Sequence, residues 1–362
     1  MIPIAEPLLD GNELKYLTEC IKTGWVSSQG RFITDFENAF SKFCGRKYGV
    51  AVSNGTVALH LALVALGIKP GDEVIVPNLT FAATANAVLY IGAKPVLVDI
   101  ERETCGIDPK KIEEKINEKT KAIIPVHLYG HPCEIGRILE IAEKHNLLVV
   151  EDAAEAHGAE YKGKKVGSFG DISCFSFYGN KIITTGEGGM CLTDDEKLDE
   201  TMRILKDHGM SKQKKYWHDW LGFNYRMTNL QAAVGVAQME RADEFIKKKI
   251  WIAETYTKFL KDFEGITLAP KMPWAKNVYW MYSILIEDEF GISRDDVINK
   301  LKEKEIETRP FFYPLSEMPF YNDGNEYPVS KEISRKGINL PSFVNITEEK
   351  IKYVCDQIKL LK

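Results

Sequence analysis

Short apolar runs typical of β-strands alternate with helix-length segments between residues 48 and 206. The strand-like runs cover residues 48–53, 73–77, 95–99, 122–127, 147–152, 172–177 and 189–193. Helical patterns cover residues 56–66, 82–91, 109–117, 135–145 and 196–206. This alternation predicts an α/β fold with a mainly parallel seven-stranded sheet and helices on both faces. The last two runs have no helix between them, so the pattern also allows an antiparallel strand.

The rest of the chain predicts a second, smaller unit at the C-terminal end. A helical pattern runs from residue 229 to about residue 260. Beyond it, strand-like residues 279–286 and 307–312 are interleaved with helical residues 294–304 and 348–361. Two further helices, over residues 11–22 and 32–43, flank a polar N-terminal loop. Because 362 residues suffice for two cores, we expect a large domain over residues 1–245 and a small α+β domain over residues 246–362.

Charge and cysteine content narrow the class of protein. The formal net charge is −5, and the lysine clusters at 212–215 and 247–249 are short, so we expect no surface for nucleic acid or anionic membrane. Seven cysteines without a C-x-x-C pair favour free thiols in a reducing compartment. The first residues do not match a signal peptide, and no apolar stretch reaches about 18 residues. These features predict a cytoplasmic enzyme.

One lysine and one carboxylate have the surroundings that pyridoxal phosphate (PLP) requires. Lys181 lies in a short polar turn flanked by aromatic and apolar residues, which would desolvate its amine and lower its pKa. Asp152 ends the apolar run 147–152, where a buried carboxylate needs a partner. A lysine amine can form a Schiff base with the PLP aldehyde, and a carboxylate can keep the pyridine nitrogen protonated. The alternatives are a solvated lysine and a structural salt bridge.

A candidate phosphate site follows the first strand-like run. Gly55 and Thr56 begin a predicted helix, whose free N–H groups and partial positive charge favour an anion. Ser176, near the end of the run 172–177, is a further candidate. An ordinary capped turn is the alternative reading for such a segment. Ligands of open α/β sheets collect at the carboxyl ends of the strands, which is where Asp152 and Ser176 fall.

Other residues near these motifs could each have either a functional or a structural role. Phe81 could stack on a flat cofactor ring or pack in the core. Glu155 could reach the same site as Asp152, or could simply favour a helix start. His157 fits a packed histidine as well as a catalytic one. His127 and His131 are four residues apart, but Tyr129, Gly130 and Pro132 argue against a helix that would bring them to one face, so we expect no metal site.

The order of these motifs resembles the DegT/DnrJ/EryC1 family of sugar-nucleotide aminotransferases, which have PLP fold type I. The resemblance spans nearly the whole chain and rests on residues 9–13, 25–28, 30–32, 126–130, 151–156, 179–189 and 222–229. It implies PLP as the cofactor and a homodimer with shared active sites. Within the family, the chain is most similar to members that act on a GDP-linked 4-keto-6-deoxy sugar.

The resemblance also implies roles for matching residues. Lys181 would be the Schiff-base lysine, and Asp152 would pair with the pyridine nitrogen. The remaining cofactor contacts would be Gly55, Thr56 and Ser176 at the phosphate, Phe81 on the ring, Glu155 near the ring hydroxyl, and Asn224 reaching the phosphate of the neighbouring subunit. Candidates for substrate binding are Ser27, Arg31, Arg226, Arg309 and Tyr313. Guanidinium groups suit both carboxylates and diphosphates, although a structural ion pair is the alternative for each arginine.

The implied reaction transfers an amino group from L-glutamate to GDP-4-keto-6-deoxy-D-mannose. Its products are 2-oxoglutarate and GDP-perosamine, which would serve a surface polysaccharide such as the O-antigen of lipopolysaccharide. Three alternatives stay open. The chain could aminate a UDP-linked, dTDP-linked or other keto sugar. It could be a PLP-dependent dehydratase, although such relatives carry histidine where this chain has Lys181. It could also be a non-catalytic ligand sensor, although no appended DNA-binding domain supports that reading.

Overall fold

The computed structural model describes residues 1–362. Its helices are α1 (Glu13–Thr23), α2 (Arg31–Cys44), α3 (Gly55–Ala65), α4 (Ala83–Tyr90), α5 (Pro109–Ile112), α6 (Ile135–His145), α7 (Glu196–Leu205), α8 (Asn229–Met239), α9 (Ala242–Leu260), α10 (Arg294–Glu303), α11 (Pro328–Lys336) and α12 (Glu348–Lys359). Its strands are β1 (Tyr48–Val52), β2 (Glu73–Pro77), β3 (Lys94–Val98), β4 (Thr120–Ile123), β5 (Leu148–Asp152), β6 (Glu160–Tyr161), β7 (Lys164–Lys165), β8 (Ile172–Ser176), β9 (Gly189–Thr193), β10 (Ile266–Thr267), β11 (Ala275–Lys276), β12 (Tyr282–Ile286), β13 (Arg309–Pro310) and β14 (Gly337–Leu340).

The central sheet confirms the predicted fold class. Its seven strands follow the order β1-β9-β8-β5-β4-β2-β3. Strands β2, β3, β4, β5 and β8 pair in parallel, whereas β9 runs antiparallel to both β1 and β8. An antiparallel neighbour needs no helical crossover. The chain therefore passes from β8 to β9 through residues 177–188, which carry Lys181 at the carboxyl end of β8.

Strand alternation assigns the side chains of β8 to two different cores. Phe175 belongs to an apolar cluster with Phe36 and Phe40 of α2, on one face of the sheet. Cys174 belongs to a second cluster with Leu59 and Leu63 of α3, on the other face. Successive side chains of a strand point to opposite faces, so Ser176 shares the α3 face with Cys174. This alternation directs the last residue of β8 toward the start of α3.

A second sheet lies in the C-terminal part of the chain. Its four strands follow the order β10-β12-β14-β13, and all their pairings are antiparallel. Side chains of α9, α10 and α12 pack with it in one apolar cluster. A third, small sheet has the order β11-β6-β7. The proposed division between residues 245 and 246 falls inside α9 and stays a prediction.

The prediction of one helix from residue 229 to about 260 is wrong, because α8 and α9 are separated by a turn at Glu240 and Arg241. The reason is tertiary. Asn12 Nδ2 donates to the Glu240 carboxylate at 2.6 Å, and the Tyr16 hydroxyl also donates to it. Arg241 donates to Asp10 and Glu244. Residues of the N-terminal segment thus bind both turn residues, and no local sequence pattern predicts these long-range contacts.

Five further elements differ from the predictions. The helix predicted over residues 109–117 is shorter, because α5 gives way to a 3₁₀ turn at Glu113–Lys115. The strands predicted over 279–286 and 307–312 shrink to β12 and β13. Helix α11 and strand β14 were not predicted at all. No helix of the structure is both long and apolar enough to cross a lipid bilayer.

Candidate active site

The start of α3 and the end of β8 meet closely at the carboxyl edge of the central sheet. A Cβ atom added to Gly55 would lie 2.7 Å from the Cβ of Ser176, so only glycine fits there without displacement. The Asn54 side chain caps α3 by accepting from the Val57 N–H at 3.0 Å. The first N–H groups of a helix have no partner within it. Gly55 and Thr56 therefore offer N–H groups beside the Ser176 hydroxyl, which suits a phosphate.

Asp152 ends β5 as an almost fully buried carboxylate without a bonded cation. Its Oδ2 accepts from the Thr84 hydroxyl at 2.8 Å, and its Oδ1 accepts from the Ala154 N–H at 3.2 Å. Burial raises the pKa of this carboxyl group, and the two hydrogen bonds oppose that shift. A carboxylate can accept more than two hydrogen bonds. A protonated pyridine nitrogen would supply both another donor and the compensating charge, so Asp152 fits PLP.

The Lys181 amine lies between a carboxylate and an aromatic face. Its Nζ is 3.6 Å from Glu155 Oε1 and 3.5 Å from the ring centroid of Trp280. Burial lowers the pKa of this amine, while the charges of Glu155 and Asp152 oppose the shift. Glu155 is itself held by the Tyr129 N–H, which donates to Oε2 at 2.8 Å. A buried lysine with a lowered pKa is suited to act as a nucleophile and a base.

Phe81 lies at the mouth of this pocket. Its carbonyl accepts from the N–H of Thr84, which lies one turn further along the chain. The hydroxyl of Thr84 contacts Asp152, so Phe81 lies close to that carboxylate. Its ring is 57% exposed and lies 5.6 Å from the ring of Phe312. An exposed aromatic ring beside the Asp152 pocket is free to stack on a flat ligand.

Two of the substrate candidates lie near Lys181 and its neighbours. Arg309 is half exposed and 3.8 Å from the Glu307 carboxylate, and its positive charge adds to the lowering of the Lys181 pKa. Tyr313 is exposed and follows Phe312, whose N–H donates to the Tyr129 hydroxyl at 2.9 Å. The segment that carries both residues therefore borders the same pocket.

The N-terminal candidates have partners elsewhere. Arg31 donates to both oxygens of Glu19 at 2.8 Å each and to Asp35 at 3.2 Å, so the ion-pair alternative describes its contacts within the chain. The Ser27 carbonyl accepts from the Asn229 N–H at 2.6 Å, which ties the polar loop to the start of α8. No contact joins either residue to Lys181 within one chain.

The candidates that follow α7 form a separate group. Arg226 pairs with Asp207 at 2.8 Å and donates to the Asn224 side-chain oxygen at 3.2 Å. Asn224 is exposed. The Ser53 N–H donates to the Tyr225 carbonyl at 2.9 Å, so the segment runs beside the end of β1. The structure thus places this segment along the loop that leads to Gly55.

Two histidines of the sequence motifs are buried structural residues. His157 packs against Phe40, Phe175 and Phe177, and neither ring nitrogen has a hydrogen-bond partner. Burial lowers the pKa of His157 to about 3, so it is neutral. His127 lies 2.9 Å from Glu151 through Nε2, and its Nδ1 accepts from a backbone N–H. Neither arrangement leaves a histidine free to exchange protons with a substrate.

Sequence reasoning missed three residues that contact the candidates. Thr84 donates to Asp152, Tyr129 donates to Glu155, and Trp280 covers the Lys181 amine. Tyr129 stands within a segment that carried the family resemblance, and its backbone φ of 52° marks it as unusual. Thr84 and Trp280 gave no local signal, because one is an ordinary helix residue and the other comes from a distant part of the chain.

Comparison with known proteins agrees with this fold. The sequence profile of the DegT/DnrJ/EryC1/StrS aminotransferase family matches residues 7–359. A GDP-perosamine synthase from Escherichia coli O157:H7 is 49% identical over 358 residues, which cover 99% of this chain and 97% of that protein. A GDP-perosamine synthase from Caulobacter vibrioides is also 49% identical, over 98% of this chain and 96% of its own.

A solved relative from Streptococcus pneumoniae, in its PLP form, is 28% identical. It covers 99% of this chain and 98% of its own, with a TM-score of 0.94. The fold is that of a PLP-dependent aminotransferase. The chain belongs to the DegT/DnrJ/EryC1/StrS aminotransferase family, and its cofactor is PLP.

Proposed function

We propose that this protein transfers the amino group of L-glutamate to the C4 ketone of GDP-4-keto-6-deoxy-D-mannose, which gives GDP-perosamine and 2-oxoglutarate. The observation that carries the reaction class is the Lys181 amine, buried beside Glu155 and next to the Asp152 pocket. Two GDP-perosamine synthases that are 49% identical over nearly the full chain support the substrate. The destination we propose is a surface polysaccharide such as an O-antigen, with synthesis in the cytoplasm.

Each proposed site residue has one task. Bound PLP supplies a carbonyl that carries the amino group and a ring that accepts electrons. Asp152 keeps a proton on the ring nitrogen, because its buried carboxylate needs a positive partner. Gly55, Thr56 and Ser176 hold the phosphate and so fix the orientation of the ring.

Lys181 moves the proton. Its Nζ, once free, takes the proton from the Cα of L-glutamate, and it reverses this transfer when the keto sugar receives the amino group. A lowered pKa leaves more of the amine neutral, and only the neutral amine can accept a proton. Glu155, 3.6 Å from Nζ, then faces the ammonium that results. Arg309 and Tyr313 border the pocket and are proposed to bind the substrate anions.

We also propose a homodimer with shared sites. Asn224 is exposed and does not contact Lys181 within one chain, which fits a residue that acts on the neighbouring subunit. Ser27, Arg31 and Arg226 likewise have no contact with Lys181 in their own chain. A partner subunit would bring a second set of these side chains to the pocket.

The test uses protein loaded with pyridoxamine phosphate. It is mixed separately with GDP-, UDP- and dTDP-linked 4-keto-6-deoxy sugars, while the visible absorbance of the PLP form is followed. We expect the absorbance to return with the GDP-linked sugar. Return only with another nucleotide would keep the reaction and reject the substrate. No return with any of them would reject both.

The matched variants are Lys181→Ala and Lys271→Ala. Lys271 is exposed and far from the proposed chemistry in sequence. We expect Lys181→Ala to abolish turnover and Lys271→Ala to retain it. A Lys181→Ala protein that keeps its biological function would support the sensor alternative instead.

A further inference from the structure

The Lys181 amine has an aromatic partner that the proposed roles do not use. Trp280 is buried, and the centroid of its ring lies 3.5 Å from Nζ. The other groups that act electrostatically on this amine are Glu155 and Asp152, which raise its pKa, and Arg309, which lowers it. Burial keeps the nearby His157 ring neutral, and the charge of Lys181 lowers its pKa further. A cation over the face of an indole is attracted by the ring electrons, and more strongly when water is excluded.

Trp280 is anchored on several sides. Its Nε1 donates to the carbonyl of Asn180, the residue before Lys181, at 2.8 Å. Its ring stacks on Tyr129 at a centroid distance of 6.2 Å and an interplanar angle of 21°. The Tyr129 N–H in turn holds Glu155. The indole therefore contacts both the backbone that carries Lys181 and the residue that positions the carboxylate opposite.

A buried lysine forms a hydrogen bond with the backbone of Trp280. Lys249 of α9 donates to the carbonyl of Trp280 at 2.8 Å and to the carbonyl of Ser342, and it has no carboxylate partner. Burial lowers the pKa of Lys249 to about 7. Burying an amine without a counter-ion costs free energy that an apolar side chain would avoid. In return, the Lys249 amine fixes the position of residue 280, because it links the backbone of that residue to α9 and to the segment at Ser342.

We propose that Trp280 is a positioning residue for proton transfer, which holds the free Lys181 amine against its indole face and beside Glu155. This inference rests on the proposed function, since it concerns the amine that moves the proton. When Nζ takes the proton from the Cα of glutamate, it becomes an ammonium, which the indole face stabilises. When that proton is returned, Nζ is neutral again and no charge remains to be stabilised. Holding a four-carbon side chain in one place also removes unproductive rotamers from the transfer step.

The first test measures the pKa of Lys181 in cofactor-free protein. Trace acetic anhydride labels amines in proportion to their neutral fraction, and mass spectrometry of the Lys181 peptide across pH gives the pKa. In Trp280→Leu, which stays apolar but has no aromatic face, we expect the pKa of Lys181 to fall by about one pH unit. Trp280→Phe keeps an aromatic face and should show a smaller fall, and it also serves if the leucine variant does not fold. An unchanged pKa in both variants would overturn the proposal.

The matched control is Trp251→Leu. Lys248 lies 3.5 Å from the ring centroid of Trp251 on α9, so this pair has the same contact as Lys181 and Trp280. Loss of the Trp251 ring should leave the pKa of Lys181 unchanged. A fall equal to that in Trp280→Leu would show a general effect of losing a tryptophan, which contradicts the proposal.

The second test follows one half-reaction with the PLP-loaded protein. In single turnovers with L-glutamate, Trp280→Leu should slow the reaction about tenfold and raise the isotope effect for glutamate deuterated at Cα, with KM little changed. A slower reaction without a larger isotope effect would indicate a structural role and contradict the proposal. The labelling test needs neither cofactor nor sugar. If the pKa of Lys181 shifts in the Trp280 variants but the wild type is inactive, the proposed function is rejected and the contact is kept. If the wild type is active but the pKa of Lys181 is unchanged in the variants, this inference alone is rejected.

Discussion

At the scale of single residues, the hydroxyl of Thr84 has a larger part in the site than its sequence context suggests. Asp152 is buried and accepts only two hydrogen bonds from the protein, and the shorter one comes from Thr84 at 2.8 Å. Thr80 lies 3.1 Å from Thr84 through the hydroxyl oxygens, which completes a short polar chain. The hydroxyl of Thr84 therefore helps to keep the Asp152 carboxylate ionised and oriented, as its proposed pairing with the ring nitrogen of PLP requires.

We predict that Thr84→Val weakens PLP binding about tenfold, because a hydrogen bond to a charged group contributes about 1.5–3 kcal/mol. Valine has nearly the same shape as threonine but no donor. Thr84→Ser keeps the hydroxyl and should restore most of the affinity. The measurement is a titration of cofactor-free protein with PLP, followed by absorbance. Equal affinities for the valine variant and the wild type would contradict the role.

At the scale of elements, the N-terminus of α11 depends on a residue far away in sequence. Asp99, which follows β3, accepts from the N–H groups of Val329 and Ser330 at 3.1 and 2.8 Å and from the Ser330 hydroxyl at 2.6 Å. Burial would raise the pKa of this carboxyl group, but these hydrogen bonds outweigh it and lower the pKa below its ordinary value. A carboxylate at a helix N-terminus also interacts favourably with the helix dipole.

We predict that Asp99→Asn lowers the free energy of unfolding by about 1–3 kcal/mol at neutral pH. The folded pKa lies below the unfolded one, so this contribution is present above the unfolded value of about 4 and is lost as pH falls through the folded value. The difference between wild type and variant should therefore shrink below about pH 4. Urea unfolding across pH measures it. Asp195→Asn, at the exposed start of α7, is the control and should show a smaller loss, because asparagine also caps a helix.

At the scale of the whole molecule, the proposed shared sites can be tested by mixing variants. Asn224 lies in a segment whose backbone follows Ser53 of its own chain, yet the family resemblance implies that it serves the partner's site. Lys181→Ala and Asn224→Ala each remove one required group. If Asn224 acts across the interface, a hybrid dimer contains one complete site and one that lacks both groups.

We predict that refolding the two variants together restores about a quarter of the wild-type activity, since half of the dimers are hybrids and each has one intact site. The measurement is turnover of the mixture against each variant alone. A mixture no more active than the Asn224→Ala protein would mean that Asn224 acts within its own chain. Size-exclusion chromatography of the same samples provides the check that dimers are present.

Much of the central sheet could be predicted from local patterns. The bounds predicted for β2 and β9 agree with the structure, and the other five strands differ only at their ends. Buried strands are short continuous apolar runs, and polar residues such as Asp152 stop them at their carboxyl ends. In the second sheet the strands were predicted too long or missed, because β13 is a two-residue edge strand paired with β14, and β14 depends on pairing with β12 and β13 on either side.

The sequence by itself determined the class of the protein, because the segments around Lys181 and Asp152 carry the family resemblance, and a parallel sheet brings the carboxyl ends of its strands to one edge. Only the tertiary structure decided what surrounds those residues. Trp280 and Thr84 contact the site because distant segments pack there, and the helix predicted over residues 229–260 breaks where residues of the N-terminal segment bind the turn. Periodicity records which face of an element is buried, but not which other element covers it.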